Sequence, residues 1–159
     1  MGIEIERKFL VGSDQWRAAA GPGTRYRQGY LYAQADGAVR VRVAGDEAWL
    51  TVKGATRGIE RLEFEYVIPR ADAEAMLEHL CRRPLIEKTR YVVPHGGRRW
   101  EVDVFEGANA GLVVAEVELP SADAAVDLPA WVGREVSDDP RYYNANLARH
   151  PYREWKDEE

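Results

Sequence analysis

The chain is poor in the side chains that most enzymes use for covalent chemistry. Its 159 residues include a single cysteine, Cys81, so no internal disulfide can form, which fits a reducing compartment such as the cytoplasm. Only three serines occur (Ser13, Ser121 and Ser137), none within a G-x-S-x-G turn. His79, His95 and His150 are scattered, with no H-E-x-x-H pair. No Walker A loop is present. No apolar run approaches the ~20 residues of a membrane-spanning helix. The opening Met-Gly-Ile-Glu-Ile-Glu-Arg-Lys is too charged for a signal peptide, and Glu6 stands where a myristoylation motif needs Ser or Thr. The net charge of −5, with no basic tail, argues against nucleic acid or a membrane surface as partner. An inner basic pocket remains compatible with it.

What the chain has is strands. Neither a repeat nor a linker divides it, so residues 1–159 read as one domain. Alternating segments are expected at 2–11, 24–33, 38–44, 47–53, 60–68, 85–93, 98–105 and 111–119. Turn signals at Asp36-Gly37, Gly45-Asp46 and Pro94 to Gly97 separate several of them. Helical spacing of Ala73, Met76, Leu77 and Leu80 after Pro69 predicts one helix, with shorter ones at 16–20, after Pro120-Ser121 and over 142–149. Short connections make neighbours antiparallel, and eight such strands close into a barrel that leaves no exposed edge. The expected class is mainly β: a closed eight-stranded antiparallel barrel with a few helices outside.

Strand side chains alternate between faces. Glu4, Glu6 and Lys8 share a face opposite Ile3, Ile5 and Phe9; Arg7 is out of pattern. Arg40 and Arg42 oppose Val39, Val41 and Val43. Thr51 and Lys53 oppose Leu50 and Val52. Arg61, Glu63 and Glu65 oppose Leu62, Phe64 and Tyr66. Lys88 aligns with Arg90. Glu101 and Asp103 oppose Trp100, Val102 and Val104, and Glu116 and Glu118 oppose Ala115, Val117 and Leu119. Any one of these could be a sheet face in water. A solvated face, however, carries Thr, Ser and Gln among its charges, whereas these faces are almost purely ionic.

The alternative is that the charged faces converge inside the barrel, as a basic wall opposed by an acidic one. Such a lumen must be wet, paired and ligand-filled, because an unpaired buried charge is costly. At ~4 Å and an effective dielectric of ~20, each opposite pair gains about 4 kcal/mol before desolvation. Lysines and arginines facing carboxylates suit a polyanion with a hard divalent ion: guanidinium and ammonium groups take phosphate oxygens, and carboxylates take Mg²⁺ or Mn²⁺. The apolar faces would point outward, covered by helices or by the partner subunit of a homodimer.

The series Glu4-x-Glu6-x-Lys8, Gln28-Gly29-Tyr30-Leu31, Arg40-x-Arg42, Thr51-x-Lys53, Glu63-x-Glu65, Lys88-Thr89-Arg90-Tyr91, Glu101-x-Asp103, Glu116-x-Glu118 and Arg141-Tyr142-Tyr143-Asn144 resembles, in order and over nearly the whole chain, the CYTH superfamily of triphosphate tunnel metalloenzymes. The resemblance implies a triphosphate-containing small molecule bound inside the tunnel and one or two Mg²⁺ or Mn²⁺ ions. By that resemblance Glu4, Glu6, Glu116 and Glu118 hold metal. Lys8, Arg40, Arg42, Lys53, Lys88 and Arg90 bind phosphate. Glu63, Glu65, Glu101 and Asp103 hold a second ion or orient the attacking water. The short chain is most similar to compact bacterial members that hydrolyse inorganic tripolyphosphate. Thiamine triphosphatase, nucleoside triphosphatase, adenylate cyclase and a non-catalytic polyphosphate-binding module are the competing readings.

Overall fold

The computed structural model describes residues 2–158. Among these residues nine strands form: β1 (Ile3–Val11), β2 (Thr24–Gln34), β3 (Gly37–Ala44), β4 (Glu47–Gly54), β5 (Glu60–Val67), β6 (Ile86–His95), β7 (Arg98–Phe105), β8 (Val113–Glu118) and β9 (Val132–Glu135). Two α-helices lie outside them, α1 (Arg70–His79) and α2 (Asn144–Arg149). The strand order β5-β4-β3-β2-β6-β7-β8-β1 is closed by antiparallel pairing of β1 with β5, where Ile3, Glu4 and Ile5 meet Leu62, Arg61 and Glu60. This is the expected eight-stranded antiparallel barrel. Gly45 makes the β3–β4 turn at φ +59°, a left-handed conformation that β-branched residues avoid.

Three packed regions cover the barrel. Helix α1 lays Ala73 and Leu77 on Val41, Val43 and Ala48, the outward side chains of β3 and β4, with Cys81 buried beside them. Pro69 stands at its N-cap, where a missing N–H costs nothing. On the far side Trp16 and Trp131 cover Phe9, Trp100, Val102, Ala115 and Val117. The rings of Trp100 and Trp131 meet edge to face at 5.8 Å. The segment that delivers Trp131 is where the expectation fails: no helix follows Pro120-Ser121. The chain instead runs through turns into β9, which pairs with β1 at Val11↔Val132 and Phe9↔Glu135.

The third region closes one end of the barrel. Tyr30, Ile86, Phe105 and Val114 lie on the same strand faces as Gln28, Lys88, Asp103 and Glu116, one step further along. They are buried with Leu147 of α2, Tyr142 and Trp155. The lumen is therefore ionic over most of its length and apolar where the C-terminal segment plugs it. The outer face of β4 and β5 remains bare, with Val52, Leu62, Phe64 and Tyr66 exposed. Among the described residues, no helix is long and apolar enough to cross a membrane.

Candidate active site in the barrel lumen

Strand closure brings together nearly all the charges expected inside, and it pairs most of them. Lys88 and Arg90 flank Asp103, which is almost fully buried. Its Oδ2 accepts from Lys88 Nζ at 2.7 Å and from Arg90 Nη2 at 3.0 Å, and its Oδ1 from Arg90 Nε at 2.8 Å. Burial alone would raise the Asp103 pKa, but Arg90 and then Lys88 hold it well below the usual carboxylate range. Burial, with Arg90 and Arg42 nearby, pushes Lys88 down to about 7 despite Asp103. Arg90 also reaches Glu101 at 3.3 Å and Glu116 at 3.9 Å. Lys8 contacts Glu116 at 3.4 Å, Lys53 sits between Glu4 and Glu63 at 3.1 Å from each, and Arg40 lies 3.4 Å from Glu65.

The basic and acidic groups therefore interleave on neighbouring strands and do not form two opposed walls. The reason is register: Arg90 of β6 stands directly across from Asp103 of β7, and Lys53 of β4 across from Glu63 of β5. Arg61, on the same face by alternation, is spent on the backbone, donating to Gly54 O at 3.2 and 2.9 Å. Arg7 points the other way and pairs with Glu135 at 2.6 Å.

Two cations keep unfilled donors. The buried Arg40 Nε has no hydrogen-bond partner among the described residues. Arg42 makes no carboxylate ion pair among them; its Nε donates to Gln28 Oε1 at 2.7 Å. Burial and then the neighbouring Arg40 and Arg90 pull Arg42 down to about 9. A buried donor without an acceptor is expensive, so Arg40 Nε fits an anion binding here, and Arg42, a cation with no carboxylate partner among the described residues, stands beside it.

The carboxylates near the open end are crowded. Glu6 faces Glu118 across the β1–β8 ladder. Burial, reinforced by Glu116 and Glu4, pushes Glu6 up to about 8. Burial and Glu4 likewise raise Glu118, while at Glu116 the combined pull of Lys8, Arg90 and Lys88 overcomes burial and brings it down to about 2. An opening of about 380 Å³, lined by Gly97, Arg98, Arg99, Glu101 and Glu118, leads to this region. Among the described residues no three acidic, imidazole or thiol groups are gathered tightly enough to hold a metal ion. Glu4 is drawn toward Lys53 and Glu116 toward Lys8. The donor set is nonetheless right for a hard cation: among four carboxylates, Glu116 and Glu4 raise Glu6 and Glu4 raises Glu118, and a positive charge between them would relieve that repulsion.

Four contributors escape a charge-based reading. Gln28 Nε2 and Lys88 Nζ both donate to Asn144 Oδ1, at 3.2 and 3.1 Å, and Lys8 Nζ donates to Tyr142 O at 3.2 Å. Tyr26 of β2 lies beside Arg42 and Arg90. Period-two alternation in β2 places Tyr26 and Gln28 on one face; Asn144 belongs to the closing motif 141–144, but no periodicity places it in the lumen, since it comes from α2.

Residues 2–152 match the model of the CYTH domain. An inorganic triphosphatase of Acetivibrio thermocellus is 52% identical over 99% of this chain and 100% of its own length. An inorganic triphosphatase of Nitrosomonas europaea is 40% identical over 91% of this chain and 96% of its own. Among solved structures, that of an inorganic triphosphatase superposes with a TM-score of 0.64 at 37% identity, covering 91% of this chain and 96% of that one. A putative adenylate cyclase of Bacillus halodurans shares the fold at 18% identity, with a TM-score of 0.61 over 77% of this chain and 84% of that one.

Proposed function

Because this chain belongs to the CYTH domain family, we propose that it is a metal-dependent hydrolase of inorganic tripolyphosphate. The observation that carries this reading is the neighbouring pair Arg40, whose buried Nε has no partner, and Arg42, which has no carboxylate partner among the described residues, in a lumen where Lys8, Lys53, Lys88 and Arg90 are each held by carboxylates. Phosphoryl transfer asks a protein mainly for alignment and charge neutralisation, and this lumen is built for both. Lys8, Arg40, Arg42, Lys53, Lys88 and Arg90 bind phosphate oxygens. A Mg²⁺ or Mn²⁺ ion held by Glu4, Glu6, Glu116 and Glu118 would supply charge neutralisation and an acidified water.

Of the carboxylates left for water orientation or a second ion, Glu63, Glu65 and Glu101 lie on half-open or exposed positions. Asp103 lies deepest and already accepts three hydrogen bonds, so its part in the reaction is to hold Lys88 and Arg90 in position. The bare apolar strip formed by Ile3, Val52, Leu62, Phe64 and Tyr66 supports the homodimer reading; light scattering on eluted protein tests it. The single buried thiol of Cys81 agrees with a reducing cytoplasm.

The deciding experiment is phosphate release from tripolyphosphate, pyrophosphate, ATP and thiamine triphosphate, each with Mg²⁺, Mn²⁺ or EDTA. Metal-dependent preference for tripolyphosphate is expected. A preference for an organic triphosphate would replace this reading, and binding without turnover would make the protein a polyphosphate-binding module.

A further inference from the structure

Tyr26 packs against two arginines that come from different strands. Its ring centroid is 4.8 Å from Arg42 Cζ and 4.9 Å from Arg90 Cζ. The three side chains stand on β2 and on the strands at either side of it: Tyr26 pairs with Ala44 of β3 and with Lys88 of β6, two residues before Arg90. Arg90 is already fixed by Asp103 and Glu101. Among the described residues Arg42 is fixed only by Gln28 and the ring, and like-charge repulsion from Arg40 and Arg90 would drive it away.

A carboxylate at position 26 would hold both arginines too, but it would neutralise Arg42 and compete with an incoming phosphate for its donors. The negative face of an aromatic ring attracts a guanidinium without filling its N–H positions. On the triphosphatase reading given above, we propose that Tyr26 is a positioning residue. Its ring holds Arg42 beside Arg90 while leaving the Arg42 donors open, so that both guanidiniums address the same phosphate group.

The test compares Tyr26→Phe with Tyr26→Leu in steady-state hydrolysis of tripolyphosphate, with thermal melting as a control. The Phe variant keeps the ring and stays within about twofold of wild type. The Leu variant raises KM about tenfold, the scale of losing two cation–π contacts, with kcat changed far less. Equal kinetics for Leu and wild type overturn the assignment. So does a Phe variant as impaired as Leu, which would make the hydroxyl the important group. A loss of kcat and melting temperature at unchanged KM overturns it as well, by marking a filler role. If the Leu variant does not fold, Tyr26→Met, which fills similar space without a π face, takes its place. Should wild type release no phosphate from tripolyphosphate, the triphosphatase reading fails by itself. The ring is then judged by calorimetry of tripolyphosphate in metal-free buffer, where Leu binding about tenfold weaker than Phe is expected and equal binding refutes it.

Discussion

Lys88 Nζ lies 2.7 Å from Asp103 Oδ2, and both side chains are about 1% exposed. A carboxylate this deep is tolerated because Arg90 shares it. Removing the acid would leave two buried cations facing each other. Asp103→Ala is therefore expected to lower unfolding stability by about 3–5 kcal/mol, the usual penalty for breaking a buried pair from one side, and to scatter the phosphate-binding cations. Urea titration with kinetics on the folded fraction measures both effects. A variant of wild-type stability would refute the account of the lumen as a paired ionic core.

The crowded carboxylates predict how stability responds to pH without metal. Glu6 is raised from 4.5 to about 8 in the folded state. Between those values the folded chain holds a proton that the unfolded chain has released, so stability falls as pH rises through this window. Glu116 has the opposite sign: held at about 2, it contributes stability above pH 4.5 that is lost as pH falls toward 2. Thermal melts in EDTA should show a decline from pH 5 to about 8 that Glu6→Gln flattens. Added Mg²⁺ should also flatten it, because a bound cation favours the ionised carboxylate. A decline of equal slope in Glu6→Gln would remove Glu6 as its source.

How far these features could be read from the sequence depends on whether neighbours in the chain or neighbours in space create them. The barrel was legible because Arg40-x-Arg42 or Glu101-x-Asp103 states its own face by period two, and short turns state their own pairing. The pairing of opposite charges was not legible. Whether Arg90 meets Asp103 depends on the β6–β7 register, which the turn at Gly96 and Gly97 sets. Strand β9 was missed because Val-Gly-Arg-Glu has no alternation; it is a strand only because β1 offers it a ladder. Asn144 stood in the closing motif Arg141-Tyr142-Tyr143-Asn144, but its role was not legible, since it exists only once α2 has docked on the barrel end.

The plug itself can be probed through Leu147, which is fully buried among Ile86, Phe105 and Val114. Leu147→Ala leaves a cavity and should cost about 2–5 kcal/mol. Because α2 also carries Asn144 to Lys88 and Gln28, loosening it should raise KM for tripolyphosphate as well. Chemical denaturation and kinetics on the same sample separate the two. Lost stability at unchanged KM would confine the plug to a packing role.

Gly29 offers a test of the outer face of the same strand. A Cβ there would lie 2.7 Å from Cys81 Cβ and 2.8 Å from Leu85 Cδ2. Those atoms belong to the segment between α1 and β6, which Arg82 N–H anchors to Tyr30 O at 3.2 Å. The methyl group of Gly29→Ala cannot enter without pushing that segment outward, so overpacking should cost about 1–3 kcal/mol. Gln28 and Tyr30 face the lumen on either side of this glycine. The displacement should therefore disturb the Gln28 contact that holds Arg42 and raise KM for tripolyphosphate. If Gly29→Ala melts with wild-type stability, the contact between β2 and the α1–β6 segment is looser than these distances require.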